Sequence, residues 1–390
     1  MSRLDIPEPL WIADHDALTD ACRQWLTEDY LAVDTEFVRT TTFYPQAGLI
    51  QIAGEKGCYL IDPLLIKDWT PFVEVLQAPT VLKVFHACAE DLEVCRRLTG
   101  VIPRPLADSQ LGIALAGHGG SMGFQRAVMA LLEIDLPKEE TRSNWLHRPL
   151  RPEQVDYAVA DVHYLYQLYP VLRQQLRDLG REEWLAEDCT RLLDASDQID
   201  DSYLALYRKV KLAWKLRPQE QYILQQLTVW REQEARNRDV PRNKVVDDNS
   251  LWNIARFKAK NRDQLVKAGV KPPIVRDAGN ILLKIVETAM TKDEAFWPEQ
   301  LDRPLSPIAA QSMKDLKDAV TLTAEQLNIP TEMLANKRAL EFVVRSGYHD
   351  GQYQLPEVLS GWRKDVIGQT LLLMMTQGVA ASKVEKSNHE

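Results

Sequence analysis

Residues 31–37 read Leu-Ala-Val-Asp-Thr-Glu-Phe, with Val38 behind them, and the reading of this stretch decides the fold. Its β-branched and aromatic residues predict a strand. In a strand, residues two apart share a face, so Asp34 and Glu36 point the same way as Ala32, while Val33, Thr35 and Phe37 fill the other side. Two unit charges about 7 Å apart at an effective dielectric near 20 repel by about 2 kcal/mol. Taken alone, the pair reads as an exposed strand edge. If the strand is enclosed, either a proton stays on or something positive sits between the carboxylates.

Around this stretch, strands and helices alternate up to about residue 180. Further strands are expected at GLIQIAG (48–54), KGCYLID (56–62) and TVLKVF (80–85), the first two joined by the turn AGEKG. Helices are expected over Trp69–Leu76 and over HACAEDLEVCRRLTG (86–100), where Gly100 is the natural C-cap. GHGGSMG (117–123) is a turn, and because no GK[ST] follows, Gly117, Gly119 and Gly120 do not form a phosphate loop. From Pro152 a long helix carries Val155, Val159, Val162, Leu165 and Leu168 on one face. This pattern predicts an α/β layered domain. An acidic helix and linker follow, and then strand signals cease. Two helices broken near Pro218 open a helical region, a proline-rich boundary lies at 294–307, and the last segment, SKVEKSNHE, reads as frayed.

A length of 390 residues suggests two or three domains, and 45% apolar with 26% charged residues is ordinary for a soluble chain. The N-terminus mixes charge and proline, unlike a signal peptide, and no apolar run reaches membrane-spanning length. Five cysteines without a CxxC pair argue against zinc and disulfides and fit the cytoplasm. Net charge is −9, yet Tyr207–Glu287 holds 18 Lys and Arg against 9 Asp and Glu. A basic segment is thus joined to an acidic remainder.

Other acids give the strand pair its context. Asp91 lies on the helix after TVLKVF, beyond the strand end where α/β sheets present their chemistry. Tyr157 and Asp161 are four apart on the long helix and share one side of it. Four converging carboxylates raise one another's pKa. Hard divalent cations relieve that conflict, and oxygen-only ligands favour Mg²⁺ or Mn²⁺ over zinc. Two such ions about 4 Å apart suit an in-line phosphoryl displacement by water.

Together VDTEF, HACAEDLEV and YAVAD resemble the three motifs of the DEDD superfamily of 3′→5′ exonucleases, and Tyr157, four before Asp161, marks the DEDDy branch. The tract TRSNWLHRPLRPEQVDYAVADVHYLY is similar to the ribonuclease D family. The resemblance implies that Asp34 bridges two metals and that Glu36 and Asp161 complete the first. It also implies that Asp91 binds the second through water and that Tyr157 orients the nucleophile. His86 stands where many relatives have asparagine, and it joins Gln51 and Trp145 as candidate nucleic-acid contacts.

The stretch from Trp230 through VVDDNSLWNIA to ILLKIVETA resembles a helicase and RNase D C-terminal (HRDC) domain. There Arg231, Arg236, Arg238, Lys244, Arg256, Lys258 and Lys260 are candidate phosphate contacts. The last segment resembles a second, divergent HRDC-like domain.

The resemblance implies an RNase H-like mixed sheet flanked by helices, followed by two small all-helical domains. The expected bounds are 1–180, an acidic helix and linker over 181–206, then 207–292 and 293–385. It implies a metal-dependent 3′→5′ exoribonuclease that releases nucleoside 5′-monophosphates from RNA with a free 3′ end, tRNA precursors among them. No membrane or protein partner is implied, and a monomer is expected. Two alternatives stay open: a DNA-directed exonuclease of the same superfamily, and a noncatalytic RNA-binding scaffold.

Overall fold

The carboxylate-bearing strand lies in the middle of a six-stranded mixed sheet. In the computed structural model, which describes residues 6–137, 143–198, 202–348 and 350–377, the strands are β1 (Leu10–Ile12), β2 (Tyr30–Val38), β3 (Gln46–Gly54), β4 (Gly57–Ile61), β5 (Leu82–Phe85) and β6 (Leu106–Asp108). Their order is β1-β4-β3-β2-β5-β6. β3 and β4 form an antiparallel hairpin, whereas β1–β4, β2–β5 and β5–β6 pair in parallel. Gly57 closes the hairpin with a φ of 135°, a conformation only glycine adopts without strain. The segment SKVEKSNHE lies outside the described residues.

The alternation in β2 works as the sequence predicts. Val33 packs into one core layer and Ala32 into the other, so Asp34 and Glu36 follow Ala32. Because Ala32 pairs with Val84 and β5 ends at Phe85, Asp34 sits where β2 outruns its neighbour.

Helices pack around the sheet: α1 (His15–Trp25), α2 (Thr70–Gln77), α3 (Ala89–Thr99), α4 (Ser109–Leu115), α5 (Phe124–Leu132), α6 (Pro152–Asp178) and α7 (Glu182–Asp197). α6 lays Ala158, Val159, Val162 and Leu165 against Ala32, Leu49, Leu60 and Val84 of the sheet. On the other side Leu18, Trp25, Phe72, Val75 and Leu92 cover Val33, Ile50, Ile52 and Phe85. α6 runs through Pro170, which has no N–H to give the carbonyl four residues back. That carbonyl, on Tyr166, accepts the Tyr30 hydroxyl at 3.0 Å, and the two phenol rings stack at 4.6 Å. The first residue of the carboxylate strand is thereby fastened to the helix that bears Tyr157 and Asp161.

The chain divides into two compact units. One comprises Met1–Val38, Ala47–Asp197 and Leu305–Glu390; the other comprises Arg39–Gln46 and Gln198–Pro304. The last helices, α13 (Pro307–Leu327), α14 (Thr331–Leu334), α15 (Lys337–Ser346) and a helical stretch over 362–377, therefore share a unit with the sheet. α7 makes the join. Trp184 stacks on Trp362 with 4.2 Å between centroids. Asp188, buried, accepts from both terminal guanidinium nitrogens of Arg363 and from the indole N–H of Trp362. Gly361 has a φ of 56°, and a Cβ there would lie 1.8 Å from a Glu187 oxygen.

The second unit is helical: α8 (Pro218–Asn237), α9 (Arg242–Val245), α10 (Asp248–Phe257), α11 (Arg262–Lys267) and α12 (Pro272–Met290) surround Leu224, Leu227, Leu251, Ile254 and Leu282. Asp247 caps α10 by accepting the Ser250 N–H at 3.0 Å, as DDNSLWNIA predicts. The helix expected before Pro218 is instead two short 3₁₀ turns, because Leu212 adopts a left-handed φ of 66°. Phe43 is buried in this unit. The Phe43 and Tyr44 N–H groups donate to Asp239 at 2.9 and 3.0 Å, and the Arg236 and Arg242 guanidinium groups lie over the Phe43 ring. Among the described residues, no helix is long and apolar enough to cross a membrane.

Candidate active site

Asp34 and Glu36 project from the free end of β2, and Asp161 comes from the first half of α6. One carboxylate oxygen of each lies within 4.8 Å of the other two. All three are partly exposed, so the cluster is open to a ligand. Burial, then the charges of Asp91, Asp161 and Glu36, push the Asp34 carboxyl well above the usual carboxylate range. A site that holds protons on clustered carboxylates is one that a cation would relieve. Oxygen-only donors at this spacing fit a hard divalent ion.

Asp91 stands outside that set of three. It lies in the first turn of α3, buried, and accepts the Thr35 hydroxyl at 2.5 Å. Thr35, on the opposite face of β2 from the two acids, thus ties the strand to the helix. Burial pushes the Asp91 carboxyl up to about 6 despite that hydrogen bond.

Tyr157 lies one helical turn before Asp161, on the same side of α6. Burial, then the charges of Asp161, Asp34 and Glu36, push the phenol far above its ordinary value, so it keeps its proton.

Sequence reasoning missed Asp108. Buried at the end of β6, it accepts the N–H groups of Ala87 and Cys88 at 3.1 and 2.9 Å and that of Gln110 at 2.8 Å. Ala87 has a φ of 60°, so this carboxylate holds the strained turn that sends the chain into α3 and places Asp91. The signal was an acid directly before a helix, in LADSQ. Asp62 and Arg148 were missed too. Their bidentate pair, at 2.6 and 2.8 Å, anchors the tract before α6, while Arg148 also donates to the Gly48 carbonyl at 2.6 Å.

Several of the residues considered for nucleic-acid contact are engaged within the protein. Trp145 is fully buried against β3, where a Cβ on Gly48 would come within 2.6 Å of the Trp145 Cβ; it packs and offers no face for a base. Gln51 is fully buried among the layer between sheet and α6, and its amide finds no partner among the described residues. The ring nitrogens of His86 lie 2.9 Å from the Ser109 hydroxyl and the Met122 carbonyl, so the side chain anchors the glycine-rich turn. Arg231 is buried in an ion pair with Asp248 at 2.6 Å. Arg236 is engaged with Glu232, and Arg256 with Glu220 at 2.9 Å. Arg238, Lys244 and Lys260 are exposed, and Lys258 is half-buried beside Gln219.

Comparison with known proteins agrees with this geometry. The 3′-5′ exonuclease family profile matches residues 9–177, the HRDC domain profile residues 220–286, and the ribonuclease D C-terminal HRDC profile residues 307–371. Ribonuclease D of Pseudomonas paraeruginosa is 45% identical over 367 residues, covering 94% of this chain and 97% of the relative. That of Escherichia coli is 35% identical over 364 residues, covering 92% and 96%. The crystal structure of Escherichia coli RNase D, described as an exoribonuclease involved in structured RNA processing, superposes with a TM-score of 0.89. It is 33% identical and covers 95% of this chain and 99% of that one. The catalytic core of RRP6 from Trypanosoma brucei shares the fold at 22% identity, with a TM-score of 0.57 over 74% of this chain and 81% of its own. With its acidic cluster on an exonuclease fold and relatives matched over nearly their whole length, the chain belongs to the ribonuclease D family of 3′→5′ exoribonucleases.

Proposed function

We propose that this exoribonuclease trims the 3′ ends of tRNA precursors and other small structured RNAs, using Asp34, Glu36, Asp91 and Asp161 to hold two Mg²⁺ or Mn²⁺ ions and Tyr157 to orient the attacking water. The convergence of Asp34, Glu36 and Asp161 within 4.8 Å carries this reading. Bound there, divalent cations lower the pKa of a bound water and offset the charge of the scissile phosphate. The protein's own part is positional. Asp34 is central, because every other acid of the set bears on its charge. The protonated Tyr157 hydroxyl donates a hydrogen bond toward the carboxylate edge and cannot take the water's proton. Thr35 and Asp108 keep Asp91 and its helix in register with β2.

RNA capture falls to the basic helical unit, where exposed Lys244 and Lys260 are available to phosphates and Arg238, paired with Glu234 at 3.4 Å, is also exposed. We place the enzyme in the cytoplasm, as a monomer, where its five free cysteines stay reduced. The test is incubation with 5′-labelled RNA and matched DNA in Mg²⁺, Mn²⁺ or chelator, beside Asp34→Asn. A ladder shortening from the 3′ end, present on RNA and absent in chelator and variant, is the expected result. Binding without shortening refutes the assignment of these residues.

A further inference from the structure

The second unit contains a cavity of about 500 Å³ that the carboxylate site does not explain. Its walls include two tryptophans, Trp214 and Trp252, and four cations, Lys215, Arg217, Arg256 and Arg303. Three segments build it: the turn Ala213–Lys215 leading into α8, one face of α10, where Trp252 and Arg256 are four apart, and the chain after α12. The structure fixes the walls. The Trp252 indole N–H donates to the Leu212 carbonyl at 3.0 Å, and the Gln300 amide donates to the Leu216 carbonyl at 3.0 Å. The Lys215 ammonium lies 5.4 Å from the Trp214 ring centroid. Against the four cations stand Glu220, bonded to Arg256, and Asp302, next to Arg303 in the chain. Lys215, Arg217 and Arg303 are exposed, while both indoles are half-exposed.

The geometry points to a binding site for nucleotides of single-stranded RNA, with a base against an indole and the flanking phosphates on Lys215, Arg217 and Arg303. It rests on the reading of RNA as the substrate and adds a place on the chain that grips it. The volume is in the range of small-molecule sites. Each nucleotide offers what the walls ask for in alternation: a flat π face and an anion. A duplex would hide the base faces, and an acidic peptide would leave the indoles without partners. None of the seven basic residues singled out by the HRDC resemblance except Arg256 lines this cavity, so it is not a restatement of that surface.

The test uses the full chain in chelator, so that RNA is not consumed, with a 5′-fluorescein single-stranded RNA of about 15 nucleotides titrated by anisotropy at several NaCl concentrations. Lys215→Gln with Arg303→Gln is expected to flatten the slope of log K against log salt by about 1.4, at roughly 0.7 per phosphate contact. Trp214→Ala is expected to weaken binding about tenfold, and Trp214→Phe to restore most of it. Melting temperatures of the variants check the fold, and the exposed Lys–Arg pair carries the test if the tryptophan variant fails to fold. If wild type binds RNA and the double variant matches it in affinity and slope, the inference is overturned while the nuclease reading stands. An equal loss of binding to polyglutamate also overturns it, in favour of an acidic peptide. If wild type does not bind RNA in chelator and does not shorten it when Mg²⁺ or Mn²⁺ is supplied, the functional reading falls first and this one with it.

Discussion

Replacing Asp34 by asparagine should make the metal-free protein more stable while abolishing hydrolysis. The three carboxylate oxygens lie within 4.8 Å of one another. Two full charges at 4.8 Å and an effective dielectric of 20 repel by about 3.5 kcal/mol. Not all of this is realised, because Asp34 escapes part of it by holding its proton. At pH 8 in chelator, roughly 1–3 kcal/mol should remain to be relieved, a rise in Tm of about 2–6 °C. The pH dependence has a definite sign. The folded-state pKa of Asp34 is raised, so its contribution to stability is full below about pH 4 and is lost as pH rises through the folded value. Asparagine has no proton to lose, and the gap between variant and wild type must widen with pH. Thermal unfolding in chelator at pH 5, 6, 7 and 8 measures it directly. Added Mg²⁺ should invert the order, stabilising wild type far more than the variant. A variant no more stable than wild type at pH 8, or a gap equal at pH 5 and pH 8, refutes the claim that crowded charge shapes this site.

Tyr157→Phe should lower the rate of 3′ shortening about a hundredfold, by analogy with loss of one positioned donor, while leaving the Mg²⁺-induced thermal shift intact. Tyr30→Phe should cost about 1–2 kcal/mol, because it leaves the Tyr166 carbonyl that Pro170 frees without its partner; chemical denaturation checks this. Lys83, fully buried with its ammonium on the carbonyls of Ala78, Val81 and Arg104, is pushed down by burial to about 7. Its folded pKa lies below the unfolded value, so the stability it contributes is present above about pH 10 and is lost as pH falls from there to about 7. The change is up to about 1.4 kcal/mol per pH unit, and it should vanish in Lys83→Met, as denaturation at pH 7 and 9 would show.

What the sequence made legible follows from how far each signal reaches. β2, α3 and α6 were readable because periodicity is local and because carboxylates in a hydrophobic strand are conspicuous. β1 and β6 were not, since three residues carry no period and their place is set by pairing with β4 and β5. Asp108 escaped because its work, holding the turn at Ala87, depends on a partner 21 residues away. Among the basic residues, counting charge overestimated what is free. Glu220, Glu232 and Asp248, scattered along the chain, engage Arg256, Arg236 and Arg231. Trp145 could be read as a packing residue or a base platform, and it packs, because Gly48 opposite it leaves room for its Cβ and main chain.

The stacked Trp184 and Trp362 and the buried Asp188–Arg363 pair have a practical consequence for anyone who would dissect this enzyme. A chain cut after the second unit would lose Arg363 and leave a buried aspartate without its counter-charge, at a cost of about 3–5 kcal/mol. It would also strip cover from the helix that follows α6. Loss of activity in such a fragment would report damage to the sheet's own unit as readily as loss of RNA capture. Here truncation is the wrong instrument. The roles of the basic residues have to be separated by point substitution in the intact chain.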